Sequence, residues 1–204
     1  MRSEFRKLLQ HRHAKSWLWL LCCLPGAWLV WGAAYDALGA NPAEYLIRAT
    51  GDWTLRLLCV TLAVTPLRIM LGLPELAQWR RMLGLFTYAY VMLHVLCYSW
   101  LDMGLAWSDI AQDIAKRPFI WVGFTAFVLL TSLALTSFNR VMRWLGGKRW
   151  QRLHRLVYVV AVLAVLHFFW MRAGKNNFTE VFVYASVLGA LLGWRFFRAL
   201  LVRR

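Results

Sequence analysis

Long apolar stretches alternate along the chain with short segments rich in arginine and lysine. Six of these stretches approach the ~20 residues that a helix needs to cross ~30 Å of hydrocarbon at ~1.5 Å per residue. Their predicted bounds are 17–34, 53–71, 83–101, 118–138, 152–171 and 180–197. The pattern predicts an all-α, polytopic membrane protein, a bundle of six transmembrane helices that forms a single domain over residues 1–204. Asp52 is expected to cap the second helix, and no internal repeat is visible.

The composition agrees with a chain dissolved in lipid. Hydrophobic residues make up 61% of the 204 residues and charged residues only 16%, whereas a soluble domain carries about 25% charged residues. A single soluble core could not cover this much apolar surface. Membrane lipid is therefore the expected partner of most of the exposed side chains.

The net charge of +15 is distributed unevenly among the loops. When the loops are assigned alternately to the two sides of the membrane, 17 cationic side chains fall on the side of the two termini and 5 on the other. Cationic loops stay in the cytoplasm, so both termini are predicted to be cytoplasmic. The charge then reflects topology, and nothing in the sequence points to nucleic acid as a partner.

Three of the five histidines lie in the predicted spans: His94 in the third, and His154 and His167 in the fifth. Ionisable residues in membrane spans are rare and are candidate functional residues. For any one of them taken singly, the alternative is a hydrogen bond between helices. Spans three and five both run from inside to outside, so they are parallel and can face each other. Because imidazole is a strong axial ligand of heme iron, two of them on facing helices can hold a porphyrin.

The depth of each histidine in the bilayer determines the expected pairing. His94 lies thirteen residues beyond Arg81, and His167 lies fifteen beyond Arg152. These matching depths favour His94 and His167 as the two iron ligands of one heme, toward the outer leaflet. His154 lies ~20 Å from His167 along the helix, so it needs a separate heme near the inner surface.

The second heme depends on Arg80, which stands fourteen residues before His94. That spacing places Arg80 ~21 Å from His94 and ~40° away around the helix. A protonated guanidinium is a poor iron ligand, so Arg80 either binds a heme propionate, contacts iron, or only anchors the cytoplasmic helix end. One geometric point opposes this scheme, since thirteen residues place His154 and His167 ~220° apart on an ideal helix. A kink or a π-bulge would be needed to turn both toward span three.

The cysteines and the carboxylates bear on two other classes of function, a cysteine-ligated metal site and an ion transporter. The four cysteines all fall in spans and have no metal-ligand spacing. A proton or ion transporter, the alternative from a different class, would need carboxylates deep in the spans. Every Asp and Glu instead falls in a loop, at a helix end or in the amino-terminal tail. A purely structural membrane anchor is a further alternative.

Several segments resemble a known family. They are TGDWTLR (50–56), TLAVTPLR (61–68), RRMLGLFTYAYVMLH (80–94), KRPFIWVGFTAFVLLTSLALTS (116–137) and LGGKRWQRLHRLVYVVAVLAVLHFFW (145–170). Together they are similar to MsrQ, the heme-binding membrane subunit of the bacterial periplasmic methionine sulfoxide reductase system. That family belongs to the ferric reductase-like transmembrane group, whose NADPH oxidase relatives carry four heme histidines on the third and fifth spans. Here three positions match, as His94, His154 and His167, and the fourth is Arg80.

The resemblance implies a multi-pass protein of the bacterial inner membrane that binds heme b, either one or two. It would take electrons from the quinone pool or a cytoplasmic flavin reductase and pass them to a periplasmic, molybdopterin-containing, MsrP-like methionine sulfoxide reductase. Substrate reduction and the repair of oxidised proteins are then expected in that partner subunit. FMN is also associated with the family, but no nucleotide-binding motif appears in this sequence. A transmembrane ferric or cupric reductase with the same hemes is the alternative within this class.

Overall fold

The computed structural model describes residues 13–173 and 176–201, which are almost entirely helical and contain no strand. The described residues are 87% helical, and they contain six helices that are long and apolar enough to cross a membrane. The predicted all-α class and the six spans are confirmed. The cations that the topology argument assigned to residues 1–12, to Lys175 and to residues 202–204 lie outside the described residues.

The first of two compact units ends at Asp102. Its three long helices are α1 (Ala14–Ala34), α2 (Pro42–Leu71) and α3 (Trp79–Cys97). A 3-10 turn, Pro74–Gln78, precedes α3, and a π-helical turn, Tyr98–Asp102, follows it. The short connection between α2 and α3 makes these two helices antiparallel neighbours, and they form the most extensive packing in this unit.

Helix α2 begins eleven residues earlier than predicted. The side-chain oxygen of Asn41 accepts a hydrogen bond from the backbone amide of Glu44 at 3.1 Å, and Pro42 suits the first turn because no amide is needed there. Glu44 and Arg48 then form an ion pair one turn apart, which allows a polar stretch to be helical. Asp52 therefore lies inside the helix, and the prediction that it caps the helix was wrong.

Helix α1 is attached to α3 through a buried tyrosine. The hydroxyl of Tyr90, whose residue is only 3% exposed, donates to the carbonyl oxygen of Cys22 at 2.9 Å and accepts from the amide of Gly26 at 2.8 Å. These two backbone groups are hydrogen-bond partners in a regular helix, but Pro25 lies between them. The tyrosine hydroxyl thus bridges the helix at its proline. The surrounding apolar cluster consists of Cys22, Leu57, Val64, Leu83 and Tyr90.

The second compact unit begins at Met103. Its helices are α4 (Trp107–Lys116), α5 (Pro118–Leu135), α6 (Asn139–Leu145), α7 (Gly147–Leu153), α8 (Leu156–Ala173) and α9 (Thr179–Leu201). Helices α5 and α8 form the main packing of this unit, and α9 packs on α8. Val160 and Ala161 of α8 are fully buried, and the small side chain of Ala161 allows a neighbouring helix to approach closely.

The fifth predicted span is interrupted near its start. Helix α7 ends at Leu153 and α8 begins at Leu156, so His154 and Arg155 form a turn between them. In this turn the amide of Arg155 bonds to the carbonyl of Arg152, and the amide of Tyr158 to the carbonyl of Arg155. The expected continuous helix from residue 152 was therefore wrong at its beginning. The predicted 102–117 and 139–151 loops also contain short helices.

Candidate functional site

His94 lies in the last turn of α3 and is held by the backbone of α2. Its Nδ1 lies 2.8 Å from the carbonyl oxygen of Ile47. A carbonyl oxygen only accepts hydrogen bonds, so Nδ1 carries a proton and donates it. In the neutral ring the lone pair is then on Nε2, and a lone pair on a ring nitrogen is what metal coordination by imidazole requires.

Gly51 gives the ring of His94 room to reach that carbonyl. The carbonyl group of a helical residue points toward the residue four positions later, and Gly51 is four residues after Ile47. A Cβ atom at Gly51 would lie 3.3 Å from both Nδ1 and Cε1 of His94. This is tighter than ordinary van der Waals contact, so glycine favours the close approach of the ring.

His167 has the same arrangement in the second unit. It lies near the end of α8, and its Nδ1 is 2.7 Å from the carbonyl oxygen of Phe119, in the first turn of α5. The same reasoning gives Nδ1 the proton and leaves the lone pair of the neutral ring on Nε2. The aromatic ring of Phe119 lies beside the imidazole, with 6.1 Å between ring centroids.

Gly123, four residues after Phe119, is required more strictly than Gly51. A Cβ atom there would lie 2.7 Å from Nδ1 and 2.8 Å from Cε1 of His167. Real side chains essentially never come this close, so any larger residue would force the imidazole or the helix to move. Glycine is therefore the residue that lets His167 bond to its carbonyl.

The two units thus repeat one arrangement of backbone and side chain. The residue whose carbonyl accepts the hydrogen bond precedes its histidine by 47 residues in the first unit and by 48 in the second. Each has a glycine one turn after the carbonyl, and each histidine lies near the carboxyl end of the second helix of an antiparallel pair. The sequence showed no repeat because the glycine and the histidine are almost all that the two pairs share.

His154 has a different environment. Its Nε2 lies 3.3 Å from the hydroxyl oxygen of Thr136. The imidazole is stacked on Trp150 with 3.9 Å between ring centroids. The indole of Trp150 donates to the carbonyl oxygen of Thr136 at 2.9 Å. This cluster joins the turn before α8 to the end of α5.

Arg80 is the second residue of α3 and is half-buried. No hydrogen bond or ion pair joins its side chain to another residue in the part of the chain that the structure describes. Within the first unit, Arg80 and His94 lie near opposite ends of α3. Within the second, His154 precedes α8 and His167 lies near its far end. The structure therefore does not bring together the two candidates of either unit.

The break before α8 removes the geometric objection to His154 and His167. The ~220° separation applies to one continuous ideal helix, whereas His154 lies in the turn that precedes the helix of His167. A π-helical turn does occur, but it follows α3, at Tyr98–Asp102, and not in the fifth span.

Several functional groups were not found from the sequence. The two carbonyl groups belong to the backbone, so the pattern of side chains in the sequence does not indicate them. Gly51 fell in a predicted loop. The available signal was the nearly equal spacing from glycine to histidine in the two halves, 43 residues from Gly51 to His94 and 44 from Gly123 to His167. Within residues 13–173 and 176–201, no three His, Cys, Asp or Glu side chains lie together as a metal site. The four cysteines are free thiols.

The fold and the geometry of His94 and His167 define a polytopic membrane protein in which two antiparallel helix pairs each orient a histidine by a backbone carbonyl. Comparison with known families agrees with this class. The family described as ferric reductase like transmembrane component matches residues 50–165. That range contains Gly51, His94, Gly123 and His154, and it ends two residues before His167. No solved structure matches the chain.

Curated relatives narrow the family. A protein of Polaromonas naphthalenivorans named "Protein-methionine-sulfoxide reductase heme-binding subunit MsrQ" is 64% identical over 93% of this chain and 87% of its own length. Proteins of the same name from Ralstonia nicotianae and Bordetella pertussis are 55% and 52% identical. The Ralstonia match covers 87% of this chain and 82% of that protein. The Bordetella match covers 89% of this chain and 87% of that protein. The chain therefore belongs to the MsrQ family within the ferric reductase-like transmembrane group, and the resemblance seen in the sequence is confirmed.

Proposed function

We propose that this chain is the heme b-binding, electron-transfer subunit of a bacterial methionine sulfoxide reductase system. The observation that carries the proposal is the repeated site in which a backbone carbonyl orients a histidine near the end of a membrane span. The names of the relatives, heme-binding subunits of a protein-methionine-sulfoxide reductase, support the same function.

His94 and His167 are the proposed iron ligands. A ligating imidazole must be neutral, and its second nitrogen is normally held by a hydrogen-bond acceptor that sets the tautomer and the ring orientation. Both residues meet the second condition through the carbonyl oxygens of Ile47 and Phe119. The glycines beside them provide space for the rings. By the depth argument from the sequence, the two histidines are the ligands of one heme toward the outer leaflet.

His154 and Arg80 are proposed for a second heme nearer the basic ends of the spans. Binding iron through Nε2 of His154 would require the ring to give up the hydroxyl of Thr136, at a cost of about 1 kcal/mol for one hydrogen bond. Arg80 fits the role of a propionate ligand, because it is a half-buried guanidinium without a carboxylate partner among the described residues.

The direction of electron flow follows from topology. The basic ends of the spans would face the cytoplasm, so electrons would enter there from quinone or a cytoplasmic flavin reductase. The bound heme supplies one-electron redox chemistry. The residues of this chain orient its ligands, exclude water and balance its charge. The acceptor would be a periplasmic molybdopterin subunit of the MsrP type, in which methionine sulfoxide is reduced.

Spectroscopy of the purified protein tests this function. After expression with ample heme, the reduced protein should show the sharp α-band of a low-spin heme b. Adding a catalytic amount of the periplasmic reductase together with methionine sulfoxide should reoxidise the heme, while methionine sulfoxide alone should not. A colourless protein would refute the proposal. Rapid reoxidation by ferric citrate without the reductase would instead favour the second candidate, a ferric reductase, which the family description suggests.

A further inference from the structure

The connection between α5 and α8 in the second unit is a concentrated basic surface. Six exposed cations lie within residues 138–155: Arg140, Arg143, Lys148, Arg149, Arg152 and Arg155. The sequence has no Asp or Glu between Asp113 and Glu180. None of the six forms an ion pair within the described residues. The positive charge of this segment must therefore be balanced by something other than the described part of the chain.

Large aromatic side chains are exposed on the same segment. Trp144 is 82% exposed and Phe138 is 61% exposed. The two helices, α6 and α7, have seven residues each and meet at Gly146, whose φ of +72° lets the chain turn sharply. Exposed tryptophan next to cations is typical of the membrane–water interface, where an indole contacts both hydrocarbon and headgroups. Positive charge alone would explain orientation, but it would not explain these aromatic residues.

The segment cannot extend far from the membrane surface. It joins the end of one span, Leu135, to the beginning of another, Leu156. The indole of Trp150 also donates to the carbonyl of Thr136, so α7 is folded back onto the end of α5. The cations are therefore held close to the depth at which lipid phosphates lie.

We infer that residues 138–155 form a binding site for anionic phospholipid. The arginine and lysine side chains would bind the phosphate diester of a headgroup, while Trp144 and Phe138 contact its acyl chains. A lipid satisfies the charge and the exposed aromatic rings together, whereas an acidic soluble protein would satisfy only the charge. Clusters of four to eight cations directly beside a membrane span recognise anionic lipid in this way. The inference does not depend on the proposed electron transfer.

Fluorescence quenching by brominated lipid tests the site on the full-length protein. The protein is placed in bilayers of phosphatidylcholine and phosphatidylglycerol in which either one lipid or the other is brominated. The difference between wild type and Trp144→Phe isolates the signal of Trp144 among the 13 tryptophans. We expect brominated phosphatidylglycerol to quench Trp144 at least about threefold more than phosphatidylcholine at equal mole fraction. The preference should fall in 0.5 M salt.

Substitutions identify the residues. The variant R140Q/R143Q/K148Q/R149Q should lose the preference, while the control R195Q/R198Q, on α9 of the same unit, should keep it. Labelling of the carboxyl terminus from each side of the bilayer checks that the variants insert in the wild-type orientation. Equal quenching of the wild-type protein by both lipids would overturn the proposal, and this comparison needs no substitution. Absence of quenching by either lipid would also overturn it and would favour an acidic soluble partner.

Discussion

Replacing Gly123 by alanine should displace the proposed heme ligand His167 while leaving its imidazole side chain chemically unchanged. The added Cβ atom would lie 2.7 Å from Nδ1, 2.8 Å from Cε1 and 3.2 Å from Cγ of the imidazole. Since favourable contacts of carbon begin at about 3.5 Å, the ring or the helix must move by about 0.7 Å. A shift of this size would stretch the 2.7 Å hydrogen bond to Phe119 beyond its normal range.

The expected cost combines two terms. Overpacking of this kind costs about 1–3 kcal/mol, and loss of the hydrogen bond adds about 1 kcal/mol. The sum, about 2–4 kcal/mol, corresponds to a loss of roughly 30- to 1,000-fold in heme affinity if the wild-type geometry is the binding-competent one. Because Gly51 has contacts of 3.3 Å, Gly51→Ala needs a shift of only a few tenths of an ångström and should cost less than about 1 kcal/mol.

Heme titration of the purified variants measures these effects. Heme-depleted protein is titrated with hemin, and the Soret absorbance gives the affinity of each variant. Gly189→Ala serves as the control, since nothing lies within 4 Å of a Cβ atom at that position. The predicted order of heme affinity is wild type and Gly189→Ala first, then Gly51→Ala, then Gly123→Ala. Wild-type affinity in Gly123→Ala would refute the proposed role of the glycine and of the carbonyl beside it.

Three further predictions concern other parts of the molecule. His154→Ala and Arg80→Gln should each lower the heme-to-protein ratio from two to one while preserving the low-spin spectrum; loss of all heme in His154→Ala would contradict the assignment. Tyr90→Phe removes the bridge to Cys22 and Gly26 and should lower the free energy of unfolding by about 1–3 kcal/mol, measured by thermal unfolding beside the control Tyr45→Phe, an exposed tyrosine. Reporter fusions at the carboxyl terminus and in 139–151 should report cytoplasm, and one in 102–117 periplasm; a periplasmic carboxyl terminus would reverse the proposed electron flow.

The spans and the histidines could be predicted from the sequence because both are properties of side chains. Six apolar stretches of sufficient length leave few other structures possible in lipid. The beginning of α2 was missed because Glu44, Arg48 and Asp52 suggested a loop. In the structure, Asn41 caps the helix and Glu44 pairs with Arg48, so the polar residues stabilise the helix instead of ending it.

The orientation of the histidines could not be predicted, because it depends on backbone groups of other helices. Ile47 and Phe119 act through carbonyl oxygens that every residue possesses, and only helix packing selects them. Similarly, Thr136 and Trp150 meet His154 only because the chain turns at His154 and Arg155. Apart from the histidines themselves, the glycines at 51 and 123 were the feature of these sites that the sequence displayed.

The heme content and reduced spectrum of His94→Ala and His167→Ala test the central claim most directly. Both residues are assigned as iron ligands on the basis of one repeated geometry, so both substitutions should have the same effect. Each variant, purified beside wild type after expression with ample heme, should lose the low-spin α-band of the outer heme and the corresponding share of bound heme. A wild-type α-band and a full complement of heme in either variant would show that the substituted histidine does not ligate iron.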